Sequence, residues 1–216
     1  MIVAERKPLA EILANVRGVN RLLVVGCDTC VAVCLAGGRK EVAVLAAALR
    51  LALREREQPL QIVERSVERQ CEQEFNAPLA EDIAATDVIL SMACGVGVQT
   101  LAEQFPRAVV YPALNTQFMG RPEERGAWAE RCSGCGNCVL DRFGGVCPIT
   151  RCSKSLLNGP CGGSADGRCE VDPQRLDCAW QLIYDRLSRL GQLDRLLAIE
   201  PPRDWASGRD GGPRRV

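Results

Sequence analysis

The sequence has no histidine anywhere in its 216 residues. That absence removes every Cys-His zinc site, Rieske-type ligation, proximal-histidine haem and the usual histidine general base. Aromatic residues are scarce as well, at 4%, which argues against a surface on which bases stack. An excess of either charge is also missing: Lys and Arg total 27, Asp and Glu total 27, so no net field draws nucleic acid. No apolar run is long enough for a signal peptide or a membrane span, and the opening MIVAERKPLA carries Glu5, Arg6 and Lys7. A soluble, cytoplasmic protein is expected.

What the chain has in plenty is cysteine, 13 residues. A reducing compartment disfavours disulfides, and an odd count leaves one thiol over in any full pairing scheme. Without histidine, clustered thiols point to all-sulfur centres: four-thiolate zinc, or one or two iron-sulfur clusters of the [4Fe-4S] kind. The densest stretch runs from residue 130 to 171. Cys132, Cys135 and Cys138 form C-x2-C-x2-C, Cys147 follows after eight residues and precedes Pro148, and Cys152, Cys161 and Cys169 come soon after. The triplet and the Cys-Pro are ferredoxin habits, but the gap of eight departs from the ferredoxin three. Structural zinc therefore stays open. Cys152, Cys161, Cys169 and Cys178 could complete either site or hold zinc themselves, and spacing does not partition them. The abundant glycines of this segment suit a backbone that wraps an inorganic centre, where N-H groups approach sulfur and φ turns positive.

The first half reads as alternating helices and strands. A one-sided helix is predicted over 8–17, a buried strand over 22–25, a long helix over 40–57, a strand over 60–66 and a short helix over 79–87. A strand over 87–94, a helix over 95–105 and a strand over 107–112 complete the series. Such alternation predicts an α/β fold with a doubly wound, mostly parallel sheet (Rossmann-like), followed by a Cys/Gly-rich metal-binding segment and a C-terminal helix. The loops at the carboxyl ends of parallel strands share one edge. Cys27, Cys30 and Cys34 follow the first strand, Cys71 the second and Cys94 the third, so five cysteines distant in sequence are expected at one rim. The plainer reading makes Cys71 and Cys94 buried small hydrophobes. Gly95 and Gly97 do not form a dinucleotide fingerprint, because the third glycine and the acidic residue further on are lacking.

Residues 115–129 read as a linker, rich in Gly, Pro and charge. Asp172-Pro173 then reads as the start of a helix over 173–191 with Leu176, Trp180, Ile183, Leu187 and Leu190 on one stripe. The polar tail carries Trp205, either a tether onto the body or an anchor for a partner. The expected division is 1–120 for the α/β domain, 121–200 for the Cys-rich module and 201–216 for the tail.

Particular stretches resemble a known family: GCDTCVAVCLAGGRKEV at 26–42, RQCEQE at 69–74, LSMACGVGVQ at 90–99, PALNTQF at 112–118, ERCSGCGNCVL, GGVCPITRCSKSLLNGPCGGS, GRCEV and PPRDW. They are similar to the MetV-type small subunit of bacterial methylenetetrahydrofolate reductases, found also as a fused C-terminal domain. CSKSLLNGPCGGS, residues 152–164, is the most specific of them. The resemblance implies an iron-sulfur subunit beside a flavin-bearing (FMN or FAD) partner of the MetF type. Electrons from ferredoxin or a further donor subunit would reach that flavin for reduction of methylenetetrahydrofolate to methyltetrahydrofolate. This chain shows no barrel and no nicotinamide fingerprint of its own, so it is expected to be non-catalytic alone. One site is expected at Cys132, Cys135, Cys138 and Cys147, and another at Cys27, Cys30 and Cys34 with Cys94 or Cys71. The rival readings are a structural zinc scaffold without redox role, and an independent enzyme using Cys27 or Cys30, which lacks a histidine base.

Overall fold

A computed structural model describes residues 1–54 and 60–215. The chain forms two compact units, one made of residues 1–118 and 122–128, the other of 119–121 and the chain from Ala129 onward. Residues 55–57 of the predicted long helix lie outside the described residues.

The first unit begins with a short strand, β1 (Ile2–Arg6), and a helix, α1 (Leu9–Asn15). Its centre is a four-stranded parallel sheet of β2 (Arg21–Cys27), β3 (Gln61–Val67), β4 (Val88–Met92) and β5 (Val110–Pro112), in the order β3-β2-β4-β5. Continuous apolar runs form the two central strands because both of their faces are covered. Side chains alternate between the faces. Leu22 and Val24 pack with Ile12 of α1 and with Leu45 and Leu49 of α3 (Arg39–Arg54). Leu23 and Val25 pack on the other face, with Leu79, with Ile83 of α5 (Ala80–Ala84) and with Leu101 of α6 (Gly95–Gln104). Two shorter helices, α2 (Cys30–Val33) and α4 (Gln73–Asn76), lie in the loops after β2 and β3.

The strand order makes β2 and β4 neighbours whose connections leave in opposite directions. The chain runs from β2 outward to β3, then returns across β2 to β4. That reversal opens a crevice at the carboxyl ends of the strands. Its floor is shaped by a tight approach: a Cβ on Gly37 would stand 2.0 Å from the Met92 carbonyl oxygen, so no side chain is tolerated there. The Gly37 carbonyl in turn accepts the Cys27 N-H at 2.9 Å.

Three expectations are corrected. Residues 115–129 are not a linker: β6 (Leu114–Glu124) and β7 (Ala127–Cys132) join β1 in a second sheet of order β1-β6-β7. The Pro and Gly that look like linker residues punctuate a hairpin, with Pro122 near the end of β6 and Gly126 (φ +85°) in the turn. Cys94 is not the last residue of a strand, since β4 stops at Met92 and Cys94 is the N-cap of α6. The C-terminal helix starts later than Asp172-Pro173, as α8 (Ala179–Arg189). An antiparallel bridge between Arg168 and Asp177 holds the preceding residues out of it, and Leu176 and Leu190 are exposed.

The second unit has little regular structure. Besides α7 (Pro148–Arg151), α8 and the parts of β6 and β7 that fall in it, its regular elements among the described residues are 3-10 turns at Leu193–Leu197, Trp205–Ser207 and Arg209–Gly211. Its core gathers Val139, Phe143, Cys178, Trp180, Ile183 and Leu187. Phe143 meets Trp180 edge-on at 5.5 Å, and the indole N-H donates to the Leu156 carbonyl at 3.1 Å. Among the described residues no helix is long and apolar enough to cross a membrane.

Candidate metal centres

At the carboxyl edge of the parallel sheet, Cys27 closes the central strand. Its register partner on β3 is Val67, and Gly26 beside it pairs with Met92 of β4. Strands lie about 4.8 Å apart, so Cys71, four residues beyond β3, and Cys94, two beyond β4, belong to loops that flank Cys27 on either side. Their electrostatics register the gathering. Partial desolvation pushes the Cys71 thiol above its ordinary range, and the nearness of Cys27 and then Cys94 pushes it the same way. Cys30 opens α2 in the loop after β2.

Cys34 behaves differently. Buried like Cys27, it has its Sγ 3.5 Å from the carbonyl oxygens of Ala4 and Val31, and burial raises its thiol against the lowering effect of backbone bonds at Ala4, Cys34 and Ala36. Such a thiol is already satisfied as a small core side chain. The structure thus brings Cys27, Cys71 and Cys94 to one rim with Cys30 in the adjoining loop; Cys27 and Cys34 are both buried in the core of this unit, and Cys34 has its sulfur against two backbone carbonyls.

A buried amide sets the height of the Cys71 loop. Gln70 is fully buried; its NH2 donates to the carbonyls of Val25 (2.9 Å) and Gly26 (3.0 Å), and its carbonyl oxygen accepts from Ser91 Oγ at 2.6 Å. Asn76 donates to the Gln70 backbone carbonyl at 2.9 Å. One side chain therefore ties the loop after β3 to both central strands. A Cβ on Gly97 would come within 2.9 Å of the Gln70 side chain, which accounts for the glycine there. On the other side of Cys27, Thr29 Oγ1 donates to the Glu68 carbonyl at 2.9 Å, and Asp28 accepts the first N-H of α3, from Arg39, at 2.9 Å.

In the second unit, Cys132 ends β7 and accepts the Gly134 N-H at 3.4 Å. Cys135 accepts from the Arg203 guanidinium at 2.8 Å. The C-terminal tail straps this loop: Arg203 also donates to the Asn137 carbonyl, Ser207 Oγ to the Cys135 carbonyl at 3.1 Å, and Arg214 to the Gly134 carbonyl at 3.0 Å. Gly136 (φ +81°) takes a left-handed turn against the tail, where a Cβ would stand 2.1 Å from the Ser207 carbonyl oxygen. Trp205 lies under the Arg203 guanidinium at 5.3 Å, a contact within the tail itself. Cys147 is the N-cap of α7 and accepts the Thr150 N-H at 3.5 Å. Cys138 is exposed.

The other four cysteines of this unit come together elsewhere. Cys152, Cys161, Cys169 and Cys178 line one small cavity, with Lys154 and Trp180 also on its wall. Cys169 lies 3.4 Å from Ser153 Oγ, and that hydrogen bond, followed by backbone N-H groups, holds its thiol below the usual range. Among the described residues, no group of three or more Cys, Asp or Glu side chains is placed so that it could hold a metal ion as it stands. What the chain offers is sulfur in three places and no imidazole to compete with it.

Gln70 and Arg203 were invisible to spacing arguments. Gln70 stands beside Cys71 in RQCEQE, but nothing local says that a glutamine will be buried. Arg203 lies 68 positions from the sulfur it touches.

A wound α/β unit with thiols at its switch point, followed by a thiol-rich unit with few regular elements, defines the class. Residues 111–206 match a family described as methylene-tetrahydrofolate reductase C terminal. The match relates that part of the chain, the Cys-rich unit included, to methylenetetrahydrofolate reductase. No curated protein and no solved structure matches the chain.

Proposed function

We propose that this chain is the MetV-type iron-sulfur subunit of a methylenetetrahydrofolate reductase, relaying electrons in the cytoplasm to a flavin carried by a partner of the MetF type. The observation that carries the reading is the gathering of Cys27, Cys71 and Cys94 at the sheet's switch point, where Cys71 responds electrostatically to the other two, in a chain whose second half matches the reductase family.

The donor set suits an iron-sulfur cluster in kind: thiols from three separate loops, no imidazole, and a tightly packed sheet beneath. The ligands at the rim are assigned to Cys27, Cys30, Cys71 and Cys94, with Cys34 left to the core. Those of a second cluster are assigned to Cys132, Cys135, Cys138 and Cys147. A bound cluster supplies one-electron redox chemistry, which a flavin can collect in pairs for delivery to the folate. The protein's own part is to bind, position and shield. Gln70 fixes the Cys71 loop against β2 and β4. Arg203 donates to the Cys135 sulfur and to the Asn137 carbonyl, which fixes that loop against the tail. Val33 and Leu35 beside Cys34, and Val96 beside Cys94, are exposed apolar side chains near the rim loops, suited to a partner that excludes water as electrons pass. Ferredoxin or a further donor subunit would reduce the chain.

Co-expression with a flavoprotein of the reductase type tests this. The expected result is a co-purifying complex containing iron and flavin, in which reduced ferredoxin bleaches the flavin only when this chain is present. Flavin reduction at an equal rate without the chain would overturn the proposal.

A further inference from the structure

Sequence spacing left Cys152, Cys161, Cys169 and Cys178 unassigned, and the fold brings all four to the wall of a single cavity of about 20 Å³. We infer that these four thiols form a closed, tetrathiolate zinc site that is structural and distinct from the centres assigned to electron transfer. The inference does not rest on the electron-relay reading.

Size is the first argument. One water-sized particle needs roughly 10–15 Å³ of such space, so this cavity admits a single ion. Iron that followed these four thiols would mark a cluster in place of the single ion. A zinc ion with Zn-S bonds of about 2.3 Å is of the right scale once the four side chains turn inward between their staggered rotamers.

The second argument is how the chain holds the four backbones. Cys169 and Cys178 are fixed on either side of the Arg168–Asp177 bridge: the Cys169 N-H donates to the Leu176 carbonyl at 2.9 Å, and the Cys178 N-H to the Gly167 carbonyl at 2.7 Å. Cys178 is the N-cap of the eleven-residue α8, yet its side chain makes no capping bond, which leaves its sulfur for another use. Cys152 caps the C-terminus of α7, its N-H bonded to the Pro148 carbonyl at 3.2 Å. Cys161 comes from the loop between them. The four thiols thus arrive from α7, from an irregular loop, from the bridged turn and from the start of α8.

The third argument is what the site would do. Cys178 belongs to the small core of this unit, and Cys152 packs against it. An ion held by both would pin α7 to α8 through a core too small to order the surrounding loops alone. Binding exchanges four thiol protons for one zinc ion, and the resulting centre carries two negative charges. Lys154 on the cavity wall, paired with Glu170, supplies a nearby cation, and Ser153 Oγ stands at hydrogen-bond distance from the Cys169 sulfur. With four thiolates in place no coordination position remains for substrate, the mark of a structural site.

The test uses the full chain purified without oxygen from cells supplied with both iron and zinc. X-ray absorption at the zinc edge should find one zinc per chain, with four sulfur neighbours. Alkylation of the native protein followed by peptide mass mapping should find Cys152, Cys161, Cys169 and Cys178 protected together until zinc is withdrawn. Cys161→Ser and Cys169→Ser should lower bound zinc at least tenfold with iron unchanged, whereas Cys132→Ser and Cys135→Ser should leave zinc in place. If either of the first two variants fails to fold, the absorption and mapping data on the unaltered chain still decide. A zinc-free native chain, a zinc shell containing oxygen, zinc that follows Cys132 and Cys135, or iron that follows Cys161 would each overturn the inference.

Discussion

The two thiol-bearing regions reach order by different means. At the rim of the first unit, the backbone is positioned by a sheet whose central strands are buried on both faces, by α3 and α6, and by Gln70 beneath. The cysteines there are passengers on a scaffold that hydrophobic burial builds. In the second unit a six-residue core, two helices and a strapped tail must order more than eighty residues, many of them at glycines with positive φ. There the inferred zinc ion would be part of what makes the fold. One region is a frame that holds a centre, the other a chain that a centre holds.

Removing metal should break this symmetry first and most visibly. With chelator under reducing conditions, hydrogen exchange should show the amides of residues 147–190 losing protection by several orders of magnitude, because metal-binding energy is folding energy where no large core exists. The amides of β2 and β4 should keep theirs. Equal loss in both units would end the distinction.

Packing at the switch point gives the next largest effect. Gly37→Ala forces a Cβ to within 2.0 Å of the Met92 carbonyl, and such overpacking costs about 1–3 kcal/mol or more. A melting curve of the apo chain should fall accordingly. The control is Gly95→Ala, whose added Cβ would meet nothing closer than Thr116 Oγ1 at an ordinary 3.6 Å. Loss of stability there should be smaller.

Gln70→Ala should cost a further measurable amount, about 1–3 kcal/mol, since Ser91 and the carbonyls of Val25 and Gly26 lose a buried partner. Its distinguishing signature is local: the Cys71 loop should lose protection from exchange while β2 and β4 keep theirs. Were the loop unmoved, the amide would be a core filler and not the device that sets the rim.

The smallest effect is a pH dependence within the metal-free protein. The hydrogen bond from Ser153 lowers the Cys169 pKa, so its thiolate persists to lower pH; partial burial and neighbouring thiolates raise that of Cys71, so its thiolate appears only at higher pH. Alkylation followed residue by residue should therefore reach half its maximal rate at a lower pH for Cys169 than for Cys71. Ser153→Ala should move the Cys169 midpoint upward.

Much of the first unit was legible because burial on both faces writes itself into sequence as unbroken apolar runs, as in Leu22–Val25 and Val88–Leu90. The parallel sheet followed from the alternation of strands and helices. What failed was punctuation. Pro122 and Gly126 signal a break in the chain, but a hairpin needs such residues too, and only pairing with β1 distinguishes the two. Asp172 does accept a local backbone N-H, from Arg175, as a helix cap would. The bridge between Arg168 and Asp177 then overrides the helical signal until Cys178. The partition of the last four cysteines was illegible for a plainer reason: irregular loops carry no period, so only coordinates say which thiols share a cavity.

The central claim is that thiols at the switch point hold a redox centre, and electron paramagnetic resonance of the anaerobically purified chain tests it most directly. Dithionite reduction should produce iron-sulfur signals, one of which disappears in Cys71→Ser and Cys94→Ser and survives in Cys34→Ser and Cys132→Ser. A chain without iron, or a signal that depends on Cys34 and is indifferent to Cys71 and Cys94, would contradict the account.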